Sequence, residues 1–150
     1  MRQINAAGRE LINEWEGDKL KAYRDGGGVW TIGRGHTGHD VHPGMEITEA
    51  QSDALFAEDL AEHCIEPFLT APTSDNEYAA MTCLAFNIGL GNPNARPPIP
   101  GFRTSTVLKR HNLGNKMGAA NAFLLWKYDN GKPVQGLLNR REAERKLYLA

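Results

Sequence analysis

Three side chains near the start of the chain have the types and the spacing for acid–base chemistry on a sugar. Glu16 and Asp25 have eight residues between them, and Asp25 and Thr31 have five. Glu16 closes an amphipathic segment, Asp25 sits on the lip of a Gly-rich turn, and Thr31 lies just inside the returning strand. A helix end followed by a tight hairpin brings all three to one patch. Hydrolysis of a glycosidic bond needs such a pair: one carboxylic acid protonates the leaving oxygen, and a second carboxylate activates a water or attacks the sugar. A carboxylate in the last turn of a helix faces the negative end of the macrodipole, and burial beside Trp15 acts in the same direction. The position therefore favours the protonated form that a general acid needs. Asp25, next to the backbone N–H groups of Gly26, Gly27 and Gly28, is expected to stay ionised. Taken singly, Glu16 reads equally well as a solvated helix end and Asp25 as ordinary turn chemistry.

The elements that must position these groups are legible in the pattern around them. Asn5 can cap a helix over residues 6–15, with Ala7, Leu11 and Trp15 on one face and Ile12 beside them. Glu14 flanks the same apolar stripe as Glu16, so the helical wheel alone leaves both in play. Residues 20–25 read as a strand, 26–28 as a turn and 29–32 as the return strand, because three glycines permit a sharp reversal. Thr48 and Gln51 form a capping box that opens a long helix over about 49–66, which Pro67 ends or kinks. Ser74 and Glu77 form a second box, leading into YAAMTCLAFNIG as the central helix of the C-terminal half. Residues 89–101 are too rich in Gly, Pro and Asn for a helix and read as a structured loop. Ser105 or Thr104 can cap a further helix, residues 115–126 make another, and 135–149 the last.

The stretch EGDKLKAYRDGGGVWTIGRGHT closely resembles the phage lysozyme (endolysin) family, glycoside hydrolase family 24. Further along, LAFNIG, GFRTST and GLLNRREAERKL resemble that family's blocks, so the likeness covers nearly the whole chain. It implies an α+β, mostly helical, lysozyme-like fold forming a single catalytic domain. The small hairpin lobe would span about 17–50, the linking helix 49–66 and the helical lobe about 74–150, with helix 6–15 packed on the last and a cleft between the lobes. It implies Glu16 as general acid, Asp25 as second carboxylate and Thr31 as the residue that positions the attacking water, with inversion at the anomeric carbon. Substrate contacts would come from Phe86, Asn87 and Ser105. His36 would be structural, packed under the hairpin. Arg140, or alternatively Arg141, would lie against the catalytic Glu. Arg34 departs from the apolar or aromatic residue more usual in the family at its place.

The implied activity is cleavage of the β-1,4 bond between N-acetylmuramic acid and N-acetylglucosamine in peptidoglycan, without metal or other cofactor. The expected setting is a monomer held in the host cytoplasm until a phage holin gives access to the periplasm and wall. No nucleic-acid or membrane partner is expected. Composition agrees with a globular chain: 41% hydrophobic and 23% charged, with no apolar run long enough for a membrane span and no signal-peptide run at the start. Cys64 and Cys83 fit no metal or redox spacing and read as free thiols. Residues 1–100 hold seven Lys/Arg against fifteen Asp/Glu, and residues 101–150 ten against three. That basic end suits an anionic polymer, or else simply attracts the acidic half. Two other readings stay open. His36, His39, Asp40 and His42 could serve a zinc amidase or peptidase, and the chain could be a non-catalytic peptidoglycan-binding module.

Overall fold

The computed structural model describes residues 1–150. The chain divides into two compact units, Ile12–Glu62 and Met1–Leu11 with His63–Ala150. The boundary falls within the first helix, α1 (Ala6–Glu16), whose start is capped as its sequence requires: the Asn5 side-chain oxygen accepts from the Gly8 N–H at 3.0 Å.

The Ile12–Glu62 unit contains the end of α1, strands β1 (Lys19–Arg24), β2 (Trp30–Gly33) and β3 (His36–Thr37), and helix α2 (Glu49–Glu62). The strands form one antiparallel sheet in the order β1-β2-β3. Asp25 therefore stands just outside β1, at the first position of the turn. The Asp25 N–H donates to the Val29 C=O at 3.0 Å and the Gly28 N–H to the Asp25 C=O at 2.9 Å, with Gly28 at φ +79°. A turn closed by a left-handed third residue is a common three-residue hairpin connection, and only glycine takes that conformation freely. On its free edge β1 gains a further pairing, with the Ala22 N–H donating to Met45 and the Ile47 N–H to Leu20, both at 2.9 Å. Ile12, Ile32, Phe56 and Leu60 are buried.

The Thr48–Gln51 capping box is present at the start of α2. The helix itself stops at Glu62, short of the residue 66 expected from its apolar pattern. Pro67 supplies the reason. Its ring would collide with the carbonyl four residues earlier, at His63, so the chain leaves the helix there and makes a 3-10 turn over Glu66–Phe68.

In the other unit, α3 (Asp75–Ile88) opens with the complete Ser74–Glu77 capping box and buries every residue from Tyr78 to Ala85. Helix α6 (Gln135–Leu149) packs along it. Between them lies a charged triad: Arg141 Nε is 2.7 Å from Glu144 Oε1, and Arg140 Nε is 3.6 Å from Glu144 Oε2. All three side chains are buried. The Arg pair is thus not the surface charge that a helix end would suggest. Helices α4 (Thr106–Asn112) and α5 (Lys116–Ala122) complete the unit with the short hairpin β4 (Tyr128–Asp129) and β5 (Lys132–Pro133). The helix expected over 115–126 is shorter than its pattern: Asn115 caps it, and Phe123–Leu125 tighten into a 3-10 turn. His111 is wholly buried, with Thr73 Oγ1 and Tyr148 OH each 2.7 Å from one ring nitrogen. The 89–101 segment folds back on itself through paired backbone bonds between Asn92 and Ile99.

Candidate active site

Glu16 owes its position to how α1 ends. Gly17 adopts φ +69° and donates its N–H to the Asn13 C=O at 2.9 Å, a left-handed cap that terminates the helix directly after Glu16. The carboxylate lies against the backbone of Gly35, in the corner between β2 and β3. A Cβ placed on Gly35 would come within 2.7 Å of Glu16 Oε2 and 3.3 Å of its Cδ. Glycine is required there twice over, since Gly35 also sits at φ +79°.

Asp25 uses one oxygen to build its own turn. Oδ1 accepts from the Gly27 and Val29 N–H groups, each at 2.9 Å, so the turn is closed through that oxygen and not through Oδ2. Thr31 is 3% exposed, and its hydroxyl donates to the Val29 C=O at 2.9 Å. The proton of that hydroxyl is therefore engaged, and what Thr31 offers a neighbour is an acceptor lone pair.

Tyr23 joins these groups, a residue absent from the sequence-based expectations. It pairs directly with Thr31 across the hairpin, which puts the two side chains on one face of the sheet. Burial raises its phenol above the ordinary value, and the charges of Glu16 and Asp25 raise it further. One phenol thus feels both carboxylates, as it would if the helix end and the hairpin deliver them to a common patch. The signal was present in the strand alternation, where Tyr23 stands two residues before Asp25.

His36 is held between two carboxylates. Asp59 lies 2.9 and 3.0 Å from Nδ1, and Asp40 lies 3.0 and 3.2 Å from Nε2. Burial alone would lower the imidazole, but the hydrogen bonds to Asp59 and Asp40 outweigh it and hold the ring above its ordinary value. Each ring nitrogen thus faces a carboxylate, an arrangement that favours the protonated ring. Asp40 in turn is held below the usual carboxylate range by its bond to His36. A raised histidine stabilises the fold fully below its unfolded value of 6.5 and loses that contribution as pH rises through its folded value; a lowered aspartate contributes above 3.8 and loses it as pH falls. The stability difference between the wild type and His36→Asn is thus expected to be largest between those two values, about 1 kcal/mol once solvent screening of the exposed Asp40 is allowed for, and to narrow at alkaline pH. Denaturant melts of both proteins at several pH values check it; a gap that widens above neutrality would contradict the pairing.

The remaining expected site residues belong to the Met1–Leu11/His63–Ala150 unit. Phe86 is half-buried, its ring centroid 5.4 Å from that of His63. Asn87 is exposed, but its Oδ1 accepts from Arg141 Nη2 at 2.9 Å. Ser105, expected among the substrate contacts, caps α4. Its hydroxyl donates to the Phe102 C=O at 2.7 Å and accepts from the Leu108 N–H at 3.1 Å, and the residue is 5% exposed. One acceptor lone pair of that hydroxyl remains. Arg140 is buried beside Glu144.

Comparison with known proteins places this geometry among relatives. The family model for phage lysozyme matches residues 13–144. The endolysin of Salmonella phage P22 is 42% identical over 156 residues, covering 100% of both chains. A crystal structure of a P22 lysozyme mutant superposes with a TM-score of 0.80 at 43% identity, again over 100% of each chain. The muramidase domain of SpmX from Asticcacaulis excentricus gives a TM-score of 0.84 at 32% identity, covering 100% of this chain and 99% of that one.

Proposed function

The chain belongs to the phage lysozyme family, the peptidoglycan-degrading glycoside hydrolases of phages, and on that premise we propose that it cleaves the N-acetylmuramic acid–N-acetylglucosamine β-1,4 bond with Glu16 as acid and Asp25 as base. The observation that carries the reading is the seating of the Glu16 carboxylate on the Gly35 backbone, beside the sheet whose β1–β2 turn bears Asp25. Glu16 gives its proton to the leaving glycosidic oxygen. Asp25, through Oδ2, takes a proton from a water on the opposite face of the ring. Thr31, whose own proton goes to Val29, accepts the second O–H of that water. With both hydrogens so directed, the water keeps a lone pair for the anomeric carbon. The carbon–oxygen bond to the leaving sugar breaks as the new bond to the water oxygen forms, and the configuration inverts.

A retaining pair stands roughly 5–5.5 Å apart and an inverting pair roughly 6.5–9.5 Å, the extra space being that of the water. The commitment of Asp25 Oδ1 to its own turn and of the Thr31 hydroxyl to Val29 supports the second arrangement, because it makes the two residues a fixed acceptor pair. The expected first product from purified peptidoglycan is the α-anomer, read by proton NMR within the first turnovers. A β-anomer would make Asp25 a nucleophile and remove the water-holding role of Thr31. Release of no reducing ends at all would leave a binding module.

Residues 1–150 act as one catalytic domain and as a monomer in this reading, with peptidoglycan the only partner bound. No helix is long and apolar enough to cross a membrane. A phage enzyme of this kind waits in the host cytoplasm and depends on a holin to reach the wall; lysis timing with and without a co-expressed holin tests that.

A further inference from the structure

The surroundings of Arg34 are unlike those of a surface arginine. Its side chain is 10% exposed in the corner between β2 and β3, flanked by Gly33 at φ +63° and Gly35 at φ +79°. A single nitrogen, Nη2, meets three carboxylates: Asp53 at 2.9 Å, Glu49 at 3.2 Å and Asp18 at 3.6 Å. The guanidinium carbon stands 5.1 Å from the Phe56 ring centroid. Asp18 is further fixed by the Ser52 hydroxyl, which donates to its Oδ1 at 2.6 Å.

Two facts argue that this knot serves position rather than stability. First, Nε and Nη1 of Arg34 are buried without a hydrogen-bond partner. A buried donor left unsatisfied is destabilising, so an apolar side chain would hold the corner at lower cost. Costs of this kind persist where a site needs a fixed geometry. Second, the ends of the knot adjoin Glu16 from both sides. Asp18 is two residues beyond Glu16, and Arg34 directly precedes Gly35, the backbone on which the Glu16 carboxylate rests. A guanidinium gripping Asp18 therefore ties the stem of Glu16 to the wall behind its carboxylate, with the start of α2 as anchor.

We propose that Arg34, held by Asp18, Glu49 and Asp53, is a positioning residue that fixes the Glu16 carboxylate for proton delivery. The proposal rests on the reading of Glu16 as general acid. It reaches the substrate only through Glu16, so its loss lowers turnover more than binding. Burial would raise the Asp18 carboxyl, but Ser52, Glu49 and Arg34 hold it below the ordinary range, which keeps the charge that Arg34 grips.

The test compares Arg34→Leu, Arg34→Lys, Asp18→Asn and Glu16→Gln in the full chain, with kcat and KM for reducing-end release taken well below each melting temperature. Arg34→Leu is expected to lose about ten- to a hundredfold in kcat with KM within about twofold, the effect of a misplaced catalytic group. Arg34→Lys is expected to recover part of that loss, because one nitrogen makes all three contacts. Asp18→Asn keeps an acceptor for Ser52 and the side-chain shape, and is expected to lower kcat severalfold, so it decides the matter if Arg34→Leu does not fold. Unchanged kcat in Asp18→Asn and in every folded Arg34 variant, alongside an inactive Glu16→Gln, would overturn the clamp and leave the acid in place. An active Glu16→Gln would overturn the acid and the clamp together.

Discussion

Glu16→Gln is expected to stop the release of reducing ends from peptidoglycan while the protein stays folded. Gln has the shape of Glu and fits against the Gly35 backbone, yet its carboxamide has no proton to give to the leaving oxygen. General acid catalysis is worth about 10² to 10⁴ in rate, and a sugar alkoxide is a poor enough leaving group to place the loss at the upper end. Glu14 is the control that the sequence itself demands. It lies on the same helix but is exposed, whereas Glu16 is half-buried. Full activity in Glu14→Gln and none in Glu16→Gln would agree with the structure. If instead Glu16→Gln kept more than about a tenth of the rate and Glu14→Gln did not, the acid would be Glu14.

Gly35→Ala should be nearly as damaging to turnover, for a steric reason. The new methyl group would lie 2.7 Å from Glu16 Oε2, closer than such atoms approach, and the movable partner is the carboxylate at the end of its side chain. A displacement of about 1 Å in a catalytic group can cost about 10²-fold. Alanine at φ +79° also strains the backbone by about 1–2 kcal/mol, so the stability loss must be separated from the catalytic one. Gly114→Ala does this. Gly114 has the same φ of +79°, and a Cβ there meets nothing within 4 Å. Both variants are expected to melt at similar, lowered temperatures. Only Gly35→Ala should lose kcat, and equal kcat in the two would show that the Gly35–Glu16 contact has no catalytic consequence.

What the sequence made legible was mostly local. Asn5, Thr48 with Gln51, and Ser74 with Glu77 mark helix starts because each cap closes within three residues of itself. The Gly26–Gly28 turn was readable for the same reason. The end of α2 falls four residues before the expected one, although the information was there, since the clash of Pro67 with the carbonyl of residue 63 is a matter of counting. Arg34 was different. Its partners Asp18 and Asp53 lie 16 and 19 residues away on other elements, and no local pattern says that three carboxylates converge on one nitrogen. Ser105 was legible for the local reason too: its capping chemistry was written in the sequence, and both of its bonds close within three residues. The direction of the Thr31 hydroxyl, towards Val29 rather than outward, depends on the hairpin register and could not be read from residue types.

The division of the chain has a consequence for the order in which the protein is made. Residues 2–8 are synthesised well before several of the residues they bond to. Arg2 bonds to Glu66, Thr73 and Asp75, Asn5 to Asn76, and the Gly8 carbonyl receives the Cys83 thiol. Every one of these contacts spans 64 to 75 residues. The whole Ile12–Glu62 stretch, hairpin and carboxylates included, is thus synthesised before these partners exist. Closing so long a loop adds little to the equilibrium cost, because that cost grows only logarithmically, but it delays the step. Biogenesis therefore runs inside out: the segment carrying the hairpin and both carboxylates is made before residues 2–8 can gain these long-range anchors.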